Sequence, residues 1–288
     1  MKSSRMLRMN MIFNGMMGHL KRVVQADTLL NPGFYEKEAD ESGDLKRFDY
    51  IVANPPFKID FSSVRDRISN QWSETERFFA GIPKVPAKKK SGMAAYVMFL
   101  QHVLYSMKPD GKAAVIVPAG FLTAKMGIEK QIREHLIEQK LLSGTILMPS
   151  YLFSNTGINV AVIFIDKSQE SEDVVLIDAS GMGEMIKESG HKRRILSNQE
   201  EETIVEAFTF KKQVKDFSVV VPYQEISENA YIFSAGRYFE WHDEPAHVDC
   251  EALLDKIDGH QKRLEALFLE GHQLEKDIKR LLKELRNE

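Results

Sequence analysis

Hydrophobic positions along the chain repeat with two periods, and these mark out the elements. Short apolar runs rich in β-branched and aromatic residues predict strands over 48–53, 113–117, 145–148 and 159–165. Weaker runs predict strands over 23–29, ending in Asp27, and over 174–178 and 217–221. Helical spacing predicts a helix over 1–18, where Met6, Met9, Phe13 and Met16 form one face read as core. A second helix is expected over 93–107, with Met93, Val97, Leu100, Leu104 and Met107 in one stripe. Ile128, Ile132 and Leu136 mark a third. Ser197 followed by Glu200 makes a capping box for a fourth, running to Phe208. Lys108-Pro109-Asp110-Gly111 reads as a turn, and residues 59–90 as a long irregular loop. Helices and strands alternate and end in a strand pair, which is an α/β pattern.

The last stretch is different. From Cys250 to Leu285 a heptad stripe runs through Ile257, Leu264, Ile278 and Leu253, Leu267, Leu274, Leu281. Only His260 and Gly271 interrupt it, and an interior glycine makes a bend near Gly271 an expectation. Such a stripe on a terminal helix must be covered by the body or by a partner. The boundaries expected on these patterns are an α/β region over 1–182, an α+β extension over 183–245 and a helical partner-binding tail over 246–288.

Composition narrows the classes. The chain has 288 residues, 43% of them hydrophobic, and a net charge of only -3. There is no global basic signal for a protein that grips nucleic acid alone. The single Cys250 excludes an intrachain disulfide framework and fits a reducing cytoplasm. No apolar run is long enough to span a membrane. Local basic groups do occur: Lys84, Lys88, Lys89 and Lys90 between Pro83, Pro86 and Gly92, and His191-Lys192-Arg193-Arg194. The lysine group reads equally as a phosphate contact or as a solvated loop.

The chemistry concentrates at Asn54-Pro55-Pro56-Phe57, directly after the strand over 48–53. Two prolines cannot donate to a sheet ladder, and Pro55 pushes Asn54 out of the α region. The strand therefore stops, and a stiff loop forms at its carboxyl end, where open α/β sheets bind ligands. An amide, a carbonyl and an aromatic ring together suit a planar heterocycle bearing an amino group. The ring stacks while the oxygens accept from the amine. A plain strand terminator with Phe57 covering core is the other reading of the same residues.

Phe48-Asp49-Tyr50-Ile51-Val52-Ala53-Asn54-Pro55-Pro56-Phe57 resembles the catalytic motif of amino-group methyltransferases that use S-adenosyl-L-methionine. More narrowly, it resembles the modification (M) subunit of type I restriction-modification systems, which methylates adenine N6 in DNA. The segments Phe99-Leu100-Gln101-His102 and Ser234-Ala235-Gly236-Arg237-Tyr238 are similar to that family too. The resemblance implies a Rossmann-like methyltransferase sheet of strand order three-two-one-four-five-seven-six and S-adenosyl-L-methionine as cofactor. It implies Asn54, Pro55, Pro56 and Phe57 as the catalytic motif, with Asn54 also touching the cofactor. Ala26-Asp27-Thr28-Leu29 resembles the family's Gly-Asp-Thr-Leu, whose Asp contacts the cofactor adenine, so Asp27 is a cofactor residue on this basis. Leu152-Phe153-Ser154-Asn155-Thr156-Gly157-Ile158 resembles the loop that helps hold the flipped base, which pairs Phe153 with Phe57 as base-stacking residues. No metal is needed, and His102, inside a helix, is read as structural.

The Gly-rich cofactor loop and ribose-binding acid that the family places earlier have no match here. The resemblance therefore covers the carboxyl two-thirds or so of such a subunit, and central strands one and two are missing. The isolated chain is expected to be inactive, poorly stable and without measurable cofactor binding. The partners implied are DNA, the specificity and restriction subunits, and a complementary N-terminal fragment. Two other readings stay open: a non-catalytic subunit that docks a specificity subunit, and a protein-glutamine or RNA methyltransferase.

Overall fold

The computed structural model describes residues 2–35, 45–153, 157–188, 191–239 and 250–284. They fall into two compact units, Met1–Phe239 and Glu240–Glu288. In the first, the elements run α1 (Lys2–Phe13), β1 (Phe48–Ala53), α2 (Arg65–Gln71), α3 (Tyr96–Ser106), β2 (Met107–Pro118) and α4 (Ile128–Glu138). Then come β3 (Leu142–Leu147), β4 (Val160–Asp166), β5 (Asp173–Asp178), β6 (Glu184–Glu188), β7 (His191–Ile195), α5 (Asn198–Thr209), β8 (Ser218–Pro222) and α6 (Tyr223–Glu228). The second unit holds α7 (Cys250–Glu284).

Six strands form the main sheet in the order β1-β2-β4-β3-β5-β8, and β6 pairs with β7 in a separate hairpin. β1 lies parallel to β2 and β3 parallel to β5, while β4 runs antiparallel between β2 and β3. β1-β2-β4-β3 is the four-five-seven-six portion of the expected order. β4 is apolar at nearly every position because it is central and covered on both faces.

The larger core lies on one face. Val115, Val117, Ile163, Ile165, Leu142 and Leu176 meet Leu100, Leu136 and Ile226 from α3, α4 and α6. Burying each such side chain contributes roughly 1.5–3 kcal/mol. On the opposite face Ile204 and Ala207 of α5 cover Ile146, Val175 and Ile177. A Cβ on Gly144 would lie 2.3 Å from the Val175 carbonyl oxygen and 2.7 Å from Phe208, so only glycine lets β3, β5 and α5 meet there. The expected capping box of α5 is present: Ser197 Oγ accepts from the Glu200 amide, and the Glu200 carboxylate accepts from the Ser197 amide.

The structure corrects several expectations. Residues 23–29 form no strand; the chain there is irregular, bends at Ala26 and turns at Thr28–Leu30. A strand needs a ladder partner, and among the described residues none lies alongside. Among the described residues β1 pairs only with β2 and is an edge. The methionine face of α1 is not core: Met6 is 65% exposed and Phe13 78%. Periodicity shows which face is apolar but cannot supply a cover. The stretch 59–90 is not wholly irregular, since α2 forms and buries Ile68. The turn at Lys108–Gly111 is absorbed into β2 as a bulge. Phe48 pairs with Met107 and Tyr50 already with Lys112, so the intervening residues loop out. Lys108 Nζ pins the bulge to Asp49 at 2.7 Å. α7 is one unbroken helix through Gly271. Within it, the side chains of Cys250, Leu253 and Leu281, and Leu285 beyond it, lie outside the described residues. Among the described residues no helix is long and apolar enough to cross a membrane.

Candidate active site

The carboxyl ends of the parallel strands define the candidate site. β1 ends at Ala53 and delivers Asn54-Pro55-Pro56-Phe57 to that edge. The 3-10 turn Ala119–Leu122 follows β2 at the same edge, and the loop to Phe153 follows β3. The Ala119 amide donates to the Asn159 carbonyl (3.0 Å) and the Met148 amide to the Val160 carbonyl (2.9 Å), closing these connections over the start of β4.

Asn54 is exposed, Pro55 buried and Pro56 exposed. Among the described residues nothing hydrogen-bonds the Asn54 amide, so it faces outward with donor and acceptor available. The next residues are stitched down. The Phe57 carbonyl accepts from the Ala95 amide (3.1 Å), and the Ile59 amide donates to Met93 (3.2 Å). The motif is therefore held rigidly against the start of α3, although the prolines themselves donate nothing.

Phe57 is half-buried and packs on the core, edge-on to Tyr96 with centroids 6.3 Å apart. Tyr96 is edge-on to Phe121 and Phe121 to Phe233, which makes a continuous aromatic support. The core reading of Phe57 thus holds for its packed side, while the ring keeps part of its surface exposed. The Tyr96 hydroxyl donates to Glu129 (3.2 Å). Burial, and then the Glu129 charge, push its pKa far up, so it stays a neutral donor. Arg133 closes this support from α4. It is fully buried and donates to the carbonyls of Tyr231, Phe121 and Ala124. Burial brings its pKa down to about 10, so it is still a cation at neutral pH.

Asp27 lies apart in sequence and is exposed. Its Oδ1 accepts from the amides of Leu29 (3.0 Å) and Leu30 (3.1 Å), an Asx turn that holds the carboxylate in one orientation. The turn leads through Pro32 and Phe34 to the flank of β1, where Phe34 meets Phe48 edge-on at 5.6 Å. Asp27 is thus brought to the β1 side of the body by packing rather than by a strand. Phe153 is half-buried; residues 154–156 of its loop lie outside the described residues. The loop is anchored where the Arg194 amide donates to the Tyr151 carbonyl (2.9 Å), which links it to β7.

A hollow of about 280 Å³ opens between β1 and α3, lined by Phe34, Phe48, Tyr50, Val52, His102 and neighbours. It contains neither Asn54 nor Phe57, so it is not the base pocket. A second, more apolar hollow of about 310 Å³ lies on the other side of the same strand, where Tyr50 and Val52 meet Phe164 and Phe208. Tyr50 is 77% and Val52 87% exposed. Sequence reasoning did not single out Arg77 or Arg133. Each is a lone arginine in a locally polar stretch, and nothing in the linear pattern marks its burial.

The residues present suit part of an S-adenosyl-L-methionine site. A fixed, exposed carboxylate suits an exocyclic amine, and an exposed amide stands at the strand end. Among the described residues nothing supplies a glycine-rich turn.

Comparison with known proteins agrees with this architecture. Residues 1–246 match the family described as N-6 DNA Methylase. The chain is 30% identical over 251 residues to the type I restriction enzyme MpnII methylase subunit of Mycoplasma pneumoniae, covering 87% of this chain and 44% of that protein. It is 28% identical to the type I restriction enzyme MjaIX methylase subunit of Methanocaldococcus jannaschii, covering 96% of this chain and 47% of that one. The chain thus spans about half the length of the curated relatives it matches. Among solved structures, the type I restriction-modification system methyltransferase subunit from Streptococcus thermophilus superposes with a TM-score of 0.58 at 27% identity, covering 75% of this chain and 42% of that one. With the family match spanning most of its length, the chain belongs to the N-6 DNA methylase family.

Proposed function

We propose that this chain works as the modification subunit of a type I restriction-modification system and methylates adenine N6 in DNA. The observation that carries this reading is the outward-facing, uncommitted Asn54 amide at the carboxyl end of β1, braced by a stitched-down Phe57. Adenine N6 is a poor nucleophile because its lone pair is delocalised into the ring. The Asn54 side-chain oxygen and the Pro55 carbonyl accept hydrogen bonds from its two N–H groups, which disperses positive charge as the N6–methyl bond forms, the methyl–sulfur bond breaks and one N6 proton passes to solvent. Phe57 offers its accessible side to one face of the base, and Phe153 approaches from the loop after β3. The target amine is out of reach inside a duplex, so the base is flipped into this edge.

Asp27 and Asn54 hold the cofactor in this reading. S-adenosyl-L-methionine supplies a methyl group already activated by its sulfonium, so the protein contributes positioning and charge stabilisation. The free edge of β1, with exposed Tyr50 and Val52 and hollows on both sides, supports pairing with a further strand from a complementary N-terminal fragment. The stripe along α7 supports docking of a specificity subunit, with the restriction subunit joining the same assembly. A DNA substrate places that assembly in the cytoplasm.

The test is methyl transfer to duplex DNA by the assembled complex. Asn54→Ala should lower the rate by about 100- to 1,000-fold, the range for loss of one charge-stabilising group. Assembly should be unchanged, since the side chain bonds nothing among the described residues. Near-normal turnover by that variant would refute the assignment.

A further inference from the structure

The Asp27 turn is braced from behind by a buried cation. Arg77, with no exposed surface, donates from Nη2 to the Thr28 carbonyl (2.6 Å) and from Nη1 to the Leu29 carbonyl (3.1 Å). The amides of those same two peptide groups, on Leu29 and Leu30, donate to Asp27 Oδ1. Two peptide planes are thus held between a guanidinium on their oxygen side and a carboxylate on their N–H side. Both peptide dipoles lie in the favourable sense, so the two charges attract through polarised amides. The guanidinium is oriented in turn. Its Nε donates to His102 Nδ1 (3.2 Å), and its central carbon lies over the rings of Trp72 and Phe78, 4.2 Å and 4.7 Å from their centroids.

We propose that Arg77 is the positioning residue for the Asp27 carboxylate, holding it at a fixed angle through the Thr28–Leu29 and Leu29–Leu30 peptides, with His102 setting the guanidinium plane. This rests on the reading of Asp27 as a cofactor residue only for its purpose, not for its geometry. Burial holds His102 neutral, its pKa brought down to about 3, which leaves Nδ1 able to accept. A rigid carboxylate spares the cost of ordering it when an amine arrives.

The experiment uses the full chain carrying Trp241→Phe, so that Trp72 is its only tryptophan. Arg77→Lys keeps the charge but cannot span both carbonyls. Amide exchange at Leu29 and Leu30 should quicken on the order of tenfold, as expected for lost charge-assisted bonds, while α3 amides keep their rates. His102→Leu should act in the same direction more weakly, and it decides the matter if Arg77→Lys does not fold. Asp27→Ala should shift Trp72 emission, because the cation stacked on that ring loses its counter-charge. The proposal is overturned by unchanged Leu29 and Leu30 exchange in a folded variant, by an equal rise throughout α3, or by Trp72 emission indifferent to Asp27→Ala. In the complex assembled with the N-terminal fragment that supplies the rest of the cofactor site, added S-adenosylhomocysteine should slow exchange at Leu29 and Leu30. If the variants respond as expected but this ligand has no effect, the clamp stands and the cofactor role of Asp27 falls.

Discussion

Replacing Arg133 with Met tests what supports the carboxyl edge of the sheet. Arg133 is fully buried and donates to three backbone carbonyls, those of Phe121, Ala124 and Tyr231. Its guanidinium carbon lies 5.7 Å from the ring centroids of both Phe121 and Phe233. Met has a similar length and keeps most of the packing but leaves those carbonyls without a donor. Hydrogen bonds from a charged group are worth about 1.5–3 kcal/mol each, so three lost bonds cost roughly 5–9 kcal/mol. Removing a buried cation returns several kcal/mol of desolvation. The net loss is about 2–4 kcal/mol, which lowers the melting temperature by roughly 5–15 °C in a unit of this size. Thermal unfolding followed by far-UV circular dichroism at pH 7 measures it. Arg133→Lys, which keeps the charge but reaches fewer carbonyls, should fall between wild type and Met. A Met variant melting within about 2 °C of wild type would show that water already satisfies those carbonyls and that the buried cation supports nothing.

Three further outcomes follow from the same structure. Phe57→Leu should keep the core side of the ring position yet weaken holding of a flipped base by about 1–3 kcal/mol, read from 2-aminopurine fluorescence at the target site of the assembled complex; an unchanged signal would assign Phe57 to core alone. His102 is held neutral in the fold with its pKa near 3, against about 6.5 when unfolded, so the unfolded chain binds the extra proton as pH falls. Stability should therefore be full above about pH 6.5 and decline by about 1.4 kcal/mol per pH unit between roughly pH 6 and 4, and urea unfolding of His102→Gln should show a shallower slope over that window. Deleting α7 should abolish co-purification of a specificity subunit while the near- and far-UV signals of Met1–Phe239 persist; retained co-purification would place the docking surface elsewhere.

The sequence alone determined what depends on neighbours in the chain. Alternation and helical spacing located β1, β2, β3, β4, α3, α4 and α5, because each is decided by side chains within a few residues. The prolines after Ala53 ended β1 by their own covalent geometry, so the position of Asn54 at a strand end was legible before any fold. Ser197 and Glu200 capped α5 for the same local reason. The tertiary structure decided whatever needed distant partners. The stretch before Asp27 has strand-like composition but no strand beside it among the described residues, and it closes into an Asx turn that Arg77 reaches from 49 residues away. The face of α1 has core periodicity, but among the described residues nothing covers it, and Met6 and Phe13 stay exposed. The turn at Lys108–Gly111 became a bulge within β2 because β1 pairs with the residues on both sides of it. Arg133 is buried because the Tyr231 carbonyl, 98 residues on, comes within 2.6 Å of it. A buried charge is tolerated only where several acceptors converge. That convergence is a property of the folded arrangement, which no local pattern records.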